Sequence, residues 1–310
     1  MPDLDEHDPN AVVSHEFSSN ESFTKQLDAE EYWTEERMAQ AVPFELKADN
    51  PEEGPPDDVT VKAPDAPRVR SGGNKSADMN LFSDDISAAN FATQRVGGLT
   101  EFPYRAVGKL FARIGGADRT GTAFVVGERC LFTAGHCIYP GPPGLWADRV
   151  AFAPAYRQGA DRRLWTAASL HTLAGWTVQR SDARAYDIGG IILSQPIDQA
   201  TGKIGWYANL PPNIGSFHSV GYPNQWISPQ YPFDGRTMWR CAGGQVSAGR
   251  IQTMANNMSE GASGGPWLIE RNGMIYANGV NSYRRSDQPE RLSSPYFGEG
   301  VINMMRRLEA

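Results

Sequence analysis

Gly261-Ala-Ser-Gly-Gly-Pro266 is the strongest local signal in this chain. A nucleophilic serine needs a sharp turn that exposes its hydroxyl and leaves backbone N–H groups free to face an oxyanion. Glycines on both sides of Ser263 permit that backbone. A serine hydroxyl is a weak nucleophile at neutral pH, so it requires a base. The chain offers five histidines: His7, His15, His136, His171 and His218. All precede Ser263, which excludes the Ser…Asp…His order of the α/β-hydrolases, although Gly-Ala-Ser-Gly-Gly satisfies Gly-x-Ser-x-Gly.

His136 sits in Leu131-Phe-Thr-Ala-Gly-His-Cys-Ile138, where a β-type run gives way to small residues. A base at a strand end, on a small-residue turn, is held rigidly and still reaches a cleft. His171 and His218 lie in no such motif and read as structural. The third member should be a carboxylate that fixes the imidazole tautomer and stabilises the imidazolium. Asp187, in Ala185-Tyr-Asp-Ile-Gly-Gly-Ile-Ile-Leu193, stands just before an apolar run. An acid there costs several kcal/mol to desolvate unless a partner is near. The order is then His136…Asp187…Ser263, with spacings of 51 and 76 residues. It is the chymotrypsin order, not the subtilisin one.

The rest of the chain agrees with a β protein. Gly (32) and Pro (22) together make 54 of 310 residues, which favours many turns between short strands. From Val96 onward such runs recur at Tyr104–Ile114, Gly121–Val126, Leu131–Thr133, Ile188–Leu193, Ser216–Tyr222, Gly244–Val246 and Met274–Asn278. In this part helical periodicity appears only near the end, at Val301–Leu308. This texture predicts an all-β sandwich or barrel.

The three motifs Thr-Ala-Gly-His-Cys, Tyr-Asp-Ile and Gly-Ala-Ser-Gly-Gly-Pro-Trp resemble those of the trypsin-like serine peptidases. Within them the chain is similar to the bacterial and fungal glutamyl-endopeptidase-like branch, as Val220-Gly-Tyr-Pro223 and Asn278-Gly-Val-Asn-Ser-Tyr283 also indicate. The match covers roughly residues 96–310. It implies an all-β fold of two packed six-stranded antiparallel β-barrels with the site between them. His136 and Asp187 would come from the first barrel and Ser263 from the second. The resemblance also implies an oxyanion hole from the N–H groups of Gly261 and Ser263. Its substrate pocket would be built by Met258, Ser259, Asn281, Ser282 and Tyr283.

The chain departs from the family in several places. The branch holds a glutamate substrate with a His and a Thr; Asn281 and Met258 stand there instead, so glutamate preference is not carried over. Arg284 and Arg285 follow closely, either attracting acidic side chains or simply solvating the surface. Trypsin-type activation pairs a new N-terminus with an Asp before the nucleophile, but Ala262 holds that position. Gln94-Arg-Val-Gly-Gly98 resembles the cleavage site of such a zymogen. Cys137 follows the histidine as in trypsin, while its usual partner falls near Thr120. A Cys130–Cys137 bridge is one arrangement, and pairing with Cys241 stays open.

Residues 1–95 carry 21 Asp/Glu and 8 Lys/Arg, a net of −13, whereas residues 96–310 carry 15 and 21, a net of +6. The first part therefore reads as a mostly irregular, acidic N-terminal pro-segment and linker, and the second as the peptidase domain. Leu27 to Leu46 reads as a short amphipathic helix ending before Pro43, anchored by Tyr32 and Trp33. Tyr32-Trp-Thr-Glu-Glu-Arg-Met resembles a pro-region segment of the branch. That implies an intramolecular inhibitor lying with its acidic surface on the basic part.

No cofactor is expected. Without Cys-x-x-Cys or His-Glu-x-x-His there is no metal motif, and no glycine-rich phosphate loop precedes Gly202-Lys203. A net of +6 without a Lys/Arg run argues against nucleic acid. The partners expected are protein or peptide substrates and the chain's own N-terminal segment, with no membrane span and a monomeric state. Met1-Pro-Asp-Leu-Asp-Glu-His-Asp8 is no signal peptide, so either export takes another route or a signal was already removed. The family implies a secreted protein. The rival expectation is a catalytically silent or permanently masked pseudo-peptidase acting as a binding protein.

Overall fold

A computed structural model describes residues 8–17, 29–44, 47–48, 68–72, 90–158, 163–178, 182–211 and 213–310. His7, the breaker-rich Pro51–Asp58 and most of the Ser71–Ser76 linker lie outside the described residues.

Five short strands come first: β1 (Val12–Glu16), β2 (Val42–Pro43), β3 (Lys47–Ala48), β4 (Val69–Arg70) and β5 (Phe91–Arg95). Six longer ones follow: β6 (Val107–Ile114), β7 (Ala117–Val125), β8 (Cys130–Thr133), β9 (Asp148–Pro154), β10 (Trp165–Leu173) and β11 (Gly189–Leu193). They pair antiparallel in the order β6–β7–β8–β11–β10–β9, and β9 bonds back to β6, which closes a barrel. Leu110, Leu131, Phe152 and Leu170 share one face of its strands and Phe111, Phe124 and Phe132 the other, where Phe111 meets Trp33 and Phe132 meets Phe297; all are fully buried.

The second sheet holds β12 (Gly205–Ala208), β13 (Ser216–Gly221), β14 (Trp239–Ser247), β15 (Ile251–Ala255), β16 (Pro266–Arg271), β17 (Met274–Val280) and β19 (Arg291–Pro295), with the two-residue β18 (Arg284–Arg285) beside it. The antiparallel path is β19–β15–β14–β13–β16–β17. Ser282 N–H donates to Ser293 O at 3.0 Å and Val280 N–H to Ser294 Oγ at 2.9 Å, so the two ends of this path meet. Phe217, Met254, Trp267, Ile269, Tyr276 and Leu292 fill its core.

The sheets are larger than six strands each: the N-terminal segment adds to both, and in the second β12 also pairs parallel with β17. β9 covers only Trp165 and Thr166 of β10, and β1 occupies the remaining edge from Ser169 to Leu173. An uncovered edge would leave N–H and C=O groups unpaired, and β1 satisfies them. On the second sheet β5 pairs with β14 and β4 with β12. The compositional break at residues 95/96 is therefore not a break in packing. Arg95 lies opposite Trp239, with its guanidinium over that ring at 5.3 Å, and Val96 N–H bonds to Met238 O at 3.0 Å. Gln94 and Arg95 belong to β5 with their side chains exposed, and Val96 just beyond it is buried.

The N-terminal helix is shorter than expected. It spans Glu35–Gln40, because Thr34 caps it by accepting from Arg37 N–H. A separate helical turn ends at Tyr32. Trp33, Met38, Ala41 and Phe44 are buried against the first barrel, each large side chain contributing about 1.5–3 kcal/mol. Among the described residues the docked side chains of this stretch are mainly apolar. Among the described residues, Arg37 of the segment pairs with Asp118 of the barrel at 3.1 Å, the opposite polarity to the one expected. Glu16 with Arg307, at 2.6 Å, follows the expected one.

The C-terminal helix runs Glu299–Leu308 and buries Val301, Ile302, Met304, Met305 and Leu308, one face of a 3.6-residue period. It lies on β11, where a Cβ at Gly190 would come within 2.7 Å of Met304 Sδ.

The cysteines correct an expectation. Cys130, Cys137 and Cys241 are all free and buried. β8 runs from Cys130 to Thr133, and an extended strand of that length, at about 3.3 Å per residue, carries Cys137 beyond the reach of a bridge. The Cys130 thiol donates to Leu308 O at 3.2 Å instead. Alkylation of the unreduced, denatured protein should add three labels per chain, and a product carrying one label would restore the bridge.

Candidate active site

β8 ends at Thr133 and the chain turns through Ala134 into the short 3-10 turn Gly135–Cys137, which carries His136. A second 3-10 turn, Ala183–Tyr186, delivers Asp187 just before β11. Since β8 and β11 are paired neighbours, these two turns emerge at the same end of the barrel. His136 Nδ1 lies 2.8 Å from Asp187 Oδ2, and His136 N–H donates to Asp187 Oδ1 at 2.7 Å. Ser282 Oγ donates to Asp187 Oδ2 at 2.5 Å. This third donor was invisible in the sequence, which placed Ser282 in the substrate pocket alone.

A carboxylate at Nδ1 holds the proton there and leaves the Nε2 lone pair free. His136 Nε2 is buried and has no hydrogen-bond partner among the described residues. Burial pulls the imidazole pKa down, but the Asp187 carboxylate, with a smaller effect from Cys137, carries it well above the usual value. Burial alone would raise Asp187; the charge of His136 and the donors from His136 and Ser282 instead hold it below the usual carboxylate range.

Ser263 comes from the second sheet and is pressed onto the first. Thr122 N–H donates to Ser263 O at 2.8 Å, and the Thr122 hydroxyl donates to Gly261 O at 2.9 Å. Gly261 and Gly264 take φ of 94° and 83°, and a Cβ on Gly264 would stand 2.1 Å from Thr133 Oγ1. Only glycine allows that approach, which seats the serine loop on the strand leading to His136. The Cys137 thiol, next in sequence to His136, lies 3.7 Å from Ser263 O. Ser263 itself is half-buried. Among the described residues, neither the Gly261 nor the Ser263 N–H donates to a protein acceptor.

A cavity of about 300 Å³ opens beside Ser263, and Met258, Ser259, Asn281, Ser282 and Tyr283 all line it. The Asn281 amide is not a free recognition group, because both its ends are already hydrogen-bonded within the fold. Arg284 lines the same cavity, and burial lowers its pKa against the opposing pull of Glu260. Arg285 lines it too, and chelates Asp287 through two hydrogen bonds of 3.0 and 2.9 Å.

Phe44 also lines the cavity, and its ring meets that of His136 edge-on, 6.3 Å between centroids at 80°. It is held there by strand pairing. β2 runs parallel to Arg119–Thr120 of β7, Phe44 N–H donates to Thr120 O at 2.9 Å, and β3 runs parallel to β18. The N-terminal segment thus binds both rims of the site. His171 is structural: fully buried, it lies between Ser14 Oγ (2.8 Å) and Ser169 Oγ (2.7 Å), and burial, aided by Arg307, lowers its pKa to about 4. His218 is buried in β13, and His15 stacks on Trp146.

Solved structures share this architecture. The protease Anisep from Arthrobacter nicotinovorans matches with a TM-score of 0.59 and 28% identity, over 70% of this chain and 99% of that one. The thermostable serine protease AL20 from an extremophilic microorganism matches with 0.56 and 29%, over 64% and 94%. The chain has the trypsin fold of these proteases and is similar to the glutamyl endopeptidases. A Glu endopeptidase solved with MPD shares the trypsin fold at 15% identity and a TM-score of 0.59, covering 72% of this chain and 98% of that one. Among curated proteins, the glutamyl endopeptidase of Bacillus licheniformis is 32% identical over 132 residues, 42% of this chain. An extracellular metalloprotease of Bacillus subtilis is 32% identical over 126 residues, 39% of this chain. The matches span 39% and 38% of those two relatives' lengths. No protein-family model matches.

Proposed function

We propose that this chain is a serine endopeptidase made as a precursor and exported, with residues 1–95 as a pro-segment covering its own site. The observation that carries the reading is the buried His136–Asp187 pair at 2.8 Å, with no partner for Nε2 among the described residues and the Ser263 loop seated on the strand leading to His136. Ser263 Oγ attacks the scissile carbonyl while His136 Nε2 takes its proton. Asp187 holds the tautomer and stabilises the imidazolium, itself fastened by Ser282. The N–H groups of Gly261 and Ser263 receive the oxyanion. His136 then protonates the leaving amine, an acyl-enzyme remains on Ser263, and a water activated by His136 releases the acid. Likeness to a protein named as extracellular supports export, and no described helix is long and apolar enough to cross a membrane.

Only neutral His136 accepts the proton, and Asp187 raises its pKa, so activity should rise with pH through a midpoint above about 6.5. Asp187→Asn should move that midpoint down as well as lowering the rate. A profile of kcat/KM flat from pH 5 to 10 would count against His136 as base.

The reading is tested with the full chain and a mixed peptide library, mapping products by mass spectrometry while recording the intact mass of the protein. Cleavage by the wild type, absent in Ser263→Ala, establishes the endopeptidase, and a falling intact mass locates its own processing. The pairing of β2 and β3 with both rims favours one rival, a permanently masked binding protein. Silence of both the wild type and a Phe44→Ala variant would favour that rival.

A further inference from the structure

We propose that Asn281 is a positioning residue for the oxyanion site, acting through the Ala262–Ser263 peptide rather than recognising substrate; the inference rests on the serine-peptidase reading. A trans peptide is planar, so its N–H points opposite to its C=O. Whatever fixes the Ala262 carbonyl therefore aims the Ser263 N–H. Two donors fix it: Asn281 Nδ2 at 2.9 Å and Gly265 N–H at 3.0 Å. The second is a short bond within the turn itself. Asn281 is the group that ties the peptide to the sheet.

The orientation of the amide is forced by its neighbours. Trp267 Nε1 can only donate, and it lies 2.8 Å from the end assigned as Oδ1, with Ser219 Oγ at 2.7 Å. The carbonyls of Val220 (3.3 Å) and Ala262 can only accept, and they face Nδ2. A reversed amide would set oxygen against two oxygens and nitrogen against an N–H. The Asn281 backbone grips the same loop, accepting from Gly264 N–H at 2.7 Å and donating to Gly265 O at 2.8 Å. A Cβ at Gly265 would fall 2.8 Å from Asn281 Nδ2, so that glycine is what lets the amide approach.

The Gly261 N–H is aimed by the same logic but with different means. The Glu260 carbonyl accepts from Asn224 N–H at 2.7 Å, a backbone bond that no side-chain substitution removes. One donor of the oxyanion site is thus set by main chain alone, and the other by a turn bond together with one buried side chain, 1% exposed.

Asn281→Asp keeps the acceptor end and replaces Nδ2 with an oxygen facing two carbonyls, which favours turning the Ala262–Ser263 peptide over. The variant is made in the full chain, in whichever background, wild type or Phe44→Ala, hydrolyses peptide. Loss of one oxyanion donor costs about 10²–10³ in kcat, so kcat should fall about 10²-fold with KM within about threefold. A folded variant with kcat within threefold of its parent overturns the proposal. So does one in which kcat and KM worsen together alongside a lowered Tm, since that marks a general loss of packing. Should Asn281→Asp fail to fold, Ser219→Ala decides: losing one anchor of Oδ1 should lower kcat severalfold at constant KM, and an unchanged kcat overturns the assignment. If no background hydrolyses peptide, the peptidase reading falls. A crystal structure of Asn281→Asp, or of Ser219→Ala where Asn281→Asp does not fold, then decides separately, and an unturned Ala262–Ser263 peptide overturns this inference.

Discussion

Ser263→Ala should abolish peptide hydrolysis, lowering kcat by about 10⁶-fold while leaving Tm nearly unchanged. The second half of that expectation follows from the side chain's surroundings. The Ser263 hydroxyl is bonded to nothing among the described residues, and the loop is held instead through its backbone by Thr122 and Asn281. His136→Ala should cost about as much, because the hydroxyl and its base act as a unit. Asp187→Asn should cost somewhat less, about 10⁴-fold, by allowing the wrong tautomer. Ser282→Ala removes one of three hydrogen bonds to Asp187 and should cost less again. These rates are compared by initial-rate kinetics on one cleaved peptide. Residual activity in Ser263→Ala within tenfold of the wild type would mean that another group performs the cleavage.

The second large effect runs in the opposite direction. Phe44→Ala should raise the activity of the intact chain by about 10²-fold. Phe44 is buried against His136 and lines the cavity beside Ser263, where on the pro-segment proposal it stands in the path of peptide. Truncating a buried Phe removes about 3–5 kcal/mol, and each 1.4 kcal/mol is tenfold in the population of an uncovered site. The gain should persist in high salt, because the docking face is Trp33, Met38, Ala41 and Phe44 rather than charge. The measurement is kcat/KM of the full chain, with intact mass recorded to exclude prior processing. An unchanged rate from a chain already active would show that Phe44 does not gate the site.

Much of the candidate site was legible because its chemistry is local. The glycines around Ser263, the small residues before His136 and the apolar run after Asp187 each announce a strand end or a tight turn within six residues. Several strands were legible for the same reason: Ser216–Gly221 and Gly189–Leu193 lie within a residue of their expected ends. β9, β10, β15 and β19 were missed, since their mixed polar patterns match neither template until packing decides which face is inward. The acidic N-terminal part misled through its composition. Its charge suggests an irregular segment docked electrostatically, whereas among the described residues its contacts are a few apolar side chains and backbone edges.

The sequence by itself determined which groups can do chemistry and in what order they come: a serine on a glycine turn, a histidine and an aspartate before it, and many short strands to carry them. Those properties depend on residue type and on neighbours a few positions away. Tertiary structure alone decided the partners. Ser282 reaches Asp187 across 95 residues and Thr122 reaches Gly261 across 139. It also decided that Asn281 spends its amide on the fold, that the cysteines stay apart, and that Phe44 rests against His136. Contacts between distant segments depend on how whole strands register and pack, and no spacing in the chain records that.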